Sequence, residues 1–173
     1  FVDFKSTKIV SWLAYEAEPC ASVIKRCLRD GIARNGVPET IYTDNGKDYT
    51  SKALNEPTPF SILHTLNIET IRATPYHGQA KPVERFHRTL EEDFCKMFPT
   101  YAGKDAKNRP ESMQLTNRQL AKSEDLPTVE EFIKYLGAFV DEYNARSSSG
   151  LGMDGKSPDQ IYAEGFQGKA RRT

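Results

Sequence analysis

At 173 residues, with 38% hydrophobic and 28% charged side chains, the chain has the size and composition of one soluble globular domain with a substantial core. Lysine plus arginine equals aspartate plus glutamate at 24 each, so no global field announces a polyanionic partner, and any nucleic-acid surface must arise from local segregation of charge. Cys20, Cys27 and Cys95 fit no zinc spacing and point to a reduced, cytoplasmic protein, while no apolar run is long enough to cross a bilayer and the first residues lack the order of a signal peptide.

The chain opens on "FVDF", an apolar strand-like run that suggests a natural start further upstream. "FVDF" and "KIVSWLAYEA" flank the polar Lys5-Ser6-Thr7, the pattern of a β-hairpin. From Pro19 to Asn35 the apolar residues Ile24, Leu28 and Ile32 recur every four, with Asn35-Gly36 as a stop, which predicts a helix. "ETIYTD" reads as a short β-branched strand running straight into the turn signal Asn45-Gly46. Residues 47–59 read as a loop, "FSILHTLN" as a short helix, and "IETIRA" as another strand ending before Thr74-Pro75. Strand alternating with helix after an opening hairpin implies an α/β domain with a mixed sheet.

Val83, Phe86, Leu90, Phe94 and Met97 step by three or four and predict one apolar face on a helix from about Ala80 to Phe98. Residues 99–127 mix Pro, Gly, Lys, Asn and Ser and read as a long connection or insertion between a core of residues 1–98 and C-terminal helices in 128–173 that complete the same domain. A second helix starts at Thr128, whose capping box with Glu131 precedes an apolar face of Val129, Phe132, Leu136, Val140 and Tyr143. After "SSSGLGMDG", Ser157 as N-cap, Pro158 at the first helical position and Gln160 three residues after the cap predict a last short helix from Pro158 to Ala163.

Two acids stand out. Asp44 ends a strand at the rim of the sheet, where α/β proteins hold ligands, although an Asp before Asn-Gly also serves as a turn residue bonded to its own backbone. Glu84 is bracketed by Lys81 and Arg88, three and four residues away on the same side of its helix. That arrangement is either an ion-pair ladder or a metal-binding acid beside cations for a phosphate backbone. Ahead of the helix, Tyr76, His77, Gly78 and Gln79 surround an N-terminus of the kind that binds anions through free N–H groups. His87 reads equally as a DNA contact and as a partly buried helix histidine. Hard divalent cations take oxygen ligands, and Mg²⁺ is often held by only one or two carboxylates with substrate phosphates and water. No nucleotide-binding glycine loop, serine-nucleophile elbow or paired cysteine and base is present, which removes those enzyme classes.

With "IYTDNGKDYTS" and "TPYHGQAKPVERFHRTLEE" in this order, the chain resembles the catalytic core of DDE transposases and retroviral integrases, a ribonuclease-H-like fold. "VDEYNARSSSGLGMDGKSPDQIY" resembles the family's tail, and "GQAKPVERF" with "FVDFKSTKIVSWLAY" is most similar to Mu-type transposases of bacterial or phage origin. The resemblance implies a mixed sheet flanked by helices and a metal-dependent polynucleotidyl transferase that cleaves a phosphodiester and transfers the strand. It assigns Asp44 and Glu84 to catalysis and to Mg²⁺ or Mn²⁺ at a two-metal site. Lys81, Arg85, Arg88, Asn45, Tyr76, His77 and Gln79 would contact DNA, with transposon ends and target DNA as partners, a homo-oligomer on that DNA and no membrane. The family's first catalytic Asp falls upstream of Phe1, so the first strand is expected to be missing and the fragment alone inactive. Asp3 matches a different, turn-proximal Asp. A noncatalytic DNA-binding or assembly remnant and a ribonuclease-H-like nuclease without strand transfer are the competing readings, and a small-molecule enzyme lacks any cofactor motif.

Overall fold

The computed structural model describes residues 1–16, 20–43, 61–72, 82–98, 101, 126–150 and 152–165. Contacts divide the chain into two units, Phe1–Val83 with Asn144–Thr173, and Glu84–Tyr143.

In the first unit the opening hairpin turns where its polar residues demand it. The Asp3 carboxylate accepts from the Ser6 N–H at 2.8 Å and the Ser6 hydroxyl at 2.6 Å, and Thr7 takes a left-handed φ of 59°. Val2 and Ile9 form an antiparallel bridge, flanked by hydrogen bonds from the Asp3 N–H to the Lys8 carbonyl and from the Val10 N–H to the Phe1 carbonyl. The second arm, predicted over "KIVSWLAYEA", does not continue as a strand past the Ile9 bridge among its described residues. Its outward backbone groups are taken by side chains instead. The Ile9 N–H and carbonyl bond the Asn144 amide, the Val10 carbonyl accepts from Asn35, and the Ser11 hydroxyl turns to the Cys27 carbonyl at 2.6 Å.

Helix α1 (Ala21–Asn35) packs Leu28, with Ile24 and Ile32 partly buried beside it, against Ile41, Leu63 and Ile68. It stops as its sequence dictates: Gly36 adopts φ 87° and donates its N–H to the Ile32 carbonyl. Gly31 lets the helix approach the hairpin, because a Cβ there would lie 2.9 Å from that of Ser11. Strands β1 (Thr40–Thr43) and β2 (Glu69–Arg72) pair in parallel, Thr40 opposite Glu69 and Thr43 opposite Arg72, and the short helix α2 (Ile62–Thr65), capped by Ser61, lies in their connection. A parallel pair requires such a crossover. Ile41 points into the core, while Tyr42 and Ile71, opposite each other in the register, are exposed.

The C-terminal part of this unit folds onto the hairpin. Helix α5 (Pro158–Gly165; α3 and α4 follow below) carries the predicted capping box, with the Ser157 N–H donating to Gln160 at 2.8 Å and the Gln160 N–H to the Ser157 hydroxyl at 3.2 Å, and it runs two residues beyond Ala163. Lys8 pairs with Asp159 at 2.7 Å and lies over the Tyr162 ring.

The second unit holds most of helices α3 (Pro82–Thr89) and α4 (Val129–Ala145). Thr128 and Glu131 form the predicted capping box on α4, the Thr128 N–H donating at 2.9 Å; this bond holds the Glu131 carboxyl below its ordinary range. Beyond α3 the chain makes a wide π-helical turn at Leu90–Phe94, where the Cys95 N–H reaches both the Leu90 and Glu91 carbonyls, and then a 3₁₀ turn at Cys95–Met97. The single apolar face predicted through Met97 is therefore corrected: the α-helix ends at Thr89, Met97 is exposed at the end of the 3₁₀ turn, and Phe98, four residues after Phe94, packs on Phe94 instead; Val83, at the other end, is exposed as well. Phe94 is 1% exposed, ringed by Phe98, Phe132 and Phe139 at centroid distances of 5.0, 5.5 and 5.2 Å. A buried phenylalanine contributes about 1.5–3 kcal/mol, with about 0.5–1.5 kcal/mol more from each well-placed ring pair. On α4, Val140 is buried as predicted, whereas Val129 is exposed.

Candidate nucleic-acid interface

The first two turns of α3 carry the described part of the site. Phe86 is buried and meets the Tyr143 ring edge-on, with centroids 5.1 Å apart and planes at 71°. At about 100° per residue, positions 84 and 88 fall on the side of the helix opposite Phe86. Glu84, Arg85, His87 and Arg88 are all exposed. Among the described residues Glu84 makes no ion pair, so the ladder that its spacing with Arg88 allows is not formed there. What remains is a free carboxylate at the head of an exposed surface that carries the Arg85 and Arg88 guanidinium groups. His87, for which two readings stood open, is exposed, with its ring tilted 52° to that of Phe86.

Asp44, Asn45, Tyr76, His77, Gln79 and Lys81 lie outside the described residues. Asp44 follows Thr43, the last residue of β1. Glu84 suits a hard divalent cation as one oxygen donor, exposed and unengaged. Among the described residues, no three His, Cys, Asp or Glu side chains gather into a set able to hold a metal ion. Asp3, a weak alternative ligand, has its carboxylate committed to the hairpin turn.

One polar contact near α3 escaped the sequence reading. The Tyr101 hydroxyl donates to the Glu91 carboxylate, which pushes the Tyr101 pKa up to about 12. A lone tyrosine in a Pro- and Gly-bearing stretch, ten residues from its partner, offers no periodic signal. Burial raises the nearby Cys95 thiol, with the Glu91 charge adding to the effect.

No protein-family model matches the chain. It is 27% identical over 116 residues to the transposase for transposon Tn552 of Staphylococcus aureus, an alignment that takes in 67% of this chain and 20% of that protein. The chain thus spans about a fifth of the length of this relative. The similarity supports a transposase family for the chain. Among the described residues, no helix is long and apolar enough to cross a membrane.

Proposed function

We propose that the chain is part of a DDE-type transposase catalytic core of ribonuclease-H-like fold, closest to the Mu type, which cleaves phosphodiesters and joins DNA strands. The observation that carries this reading is the exposed Glu84 carboxylate, unpaired among the described residues, on the same helical turns as Arg85 and Arg88. The likeness to the Tn552 transposase supports it independently. The parallel β1–β2 pair with its helical crossover is compatible with the proposed fold.

In this reading Asp44 and Glu84 are the carboxylates for Mg²⁺ or Mn²⁺. When bound, such ions sharpen a nucleophilic oxygen and offset charge on the leaving oxygen. Lys81, Arg85 and Arg88 hold phosphates and set the position of the duplex without reading its sequence, while Asn45, Tyr76, His77 and Gln79 shape the DNA contact. Transposon ends and target DNA are the proposed partners, in a homo-oligomeric complex.

The test is Glu84→Gln, which keeps shape and hydrogen bonding but removes the charge that a cation needs. Assayed in the full-length protein, Mg²⁺- or Mn²⁺-dependent cleavage and joining of end-containing duplex should fall by roughly a hundred- to a thousandfold, the scale of a lost transition-state contact. Folding and DNA affinity should stay nearly unchanged. Full strand transfer by the variant would remove Glu84 from the mechanism.

A further inference from the structure

The helical stretch from Pro82 to Met97 changes sign along its length. Arg85, His87 and Arg88 are exposed on its first two turns, Glu92 and Asp93 are exposed on the next, and Glu91 is half-buried beside them. Beyond Glu84, this order opposes the helix dipole: carboxylates lie toward the negative end and cations toward the positive end. The order also sets two spacings of four between opposite charges, Arg88 to Glu92 and Glu92 to the exposed Lys96, and among the described residues neither closes into an ion pair.

The negative turn is also fixed in place. The Cys95 N–H closes the wide turn on the Leu90 and Glu91 carbonyls, the Glu91 carboxylate accepts the Tyr101 hydroxyl, and Phe94 in the same turn is locked among rings. Glu92 follows Arg88 by four residues, about 6 Å along the axis at about 1.5 Å per residue. That is shorter than the Debye length of about 10 Å at 0.1 M salt, so salt screens the acid only in part from a phosphate beside Arg88.

We propose that this sign change confines DNA to the first two turns of α3, with the phosphate backbone crossing the helix at Arg85–Arg88 instead of following its axis past Glu92. The inference rests on the DNA-processing reading above and adds the direction in which the duplex runs.

Fluorescence anisotropy of this chain with a duplex of about 30 bp, titrated from about 50 to 200 mM salt, tests it. Glu92→Lys should raise affinity on the order of threefold at low salt and steepen the salt dependence by about one ion. Glu92→Gln should give a gain of the same sign and about half the size. Glu39→Lys makes the same change in net charge on an exposed acid of the first unit and should give less than half the gain of Glu92→Lys. Equal gains from the two lysine variants, or no gain from Glu92→Lys while Arg88→Ala weakens binding, overturn the crossing geometry and leave the DNA-processing reading standing. If neither Arg85→Ala nor Arg88→Ala weakens binding, both readings fail.

Discussion

The Tyr101 hydroxyl and the Glu91 carboxylate form a bond that exists only while the phenol keeps its proton. The folded pKa of about 12 lies above the unfolded value of about 10, so this contact contributes stability fully below pH 10 and loses it as pH rises through 12. Absorbance titration of tyrosinate should show one phenol titrating near pH 12, and Tyr101→Phe should delete that step while leaving the others in place. Glu84 is the residue whose position was most legible from sequence, because the i, i+3 and i+4 spacings that bracket it with cations are properties of any helix. The spacing could not decide whether the cations neutralise it. That depends on rotamers at the surface, and there the Glu84 carboxylate stays unpaired among the described residues.

At the scale of elements, both capping boxes were readable because each partner lies three residues from its cap. The two differ in how much water they see. Ser157 is buried while Thr128 is exposed, so Ser157→Ala should cost about 1–2 kcal/mol, read as a lowered urea midpoint at unchanged slope. Glu131, whose folded pKa is depressed, contributes stability present above its unfolded pKa and lost as pH falls through the folded one. The wide turn after Thr89 was not readable. Val83, Phe86, Leu90, Phe94 and Met97 fit an unbroken α-helix as sequence, and nothing in that spacing marks Leu90–Phe94 as the place where the turn widens.

Across the whole molecule, what the sequence hid is contact between distant residues. Asn144 is 6% exposed and bonds the Ile9 N–H at 2.8 Å and the Ile9 carbonyl at 3.1 Å, supplying with one side chain the pair of bonds that a neighbouring strand would supply. No periodicity joins residues 135 positions apart. Asn144→Ala leaves both groups buried and unbonded and should cost about 2–4 kcal/mol, with the Ile9 amide losing protection in hydrogen exchange ahead of the α1 core.

The same contact sets a timetable. At about 5–20 residues per second, a ribosome that has made Ile9 needs roughly 7 to 27 s to reach Asn144. Until then, one edge of the first hairpin stands open while the rest of the chain emerges.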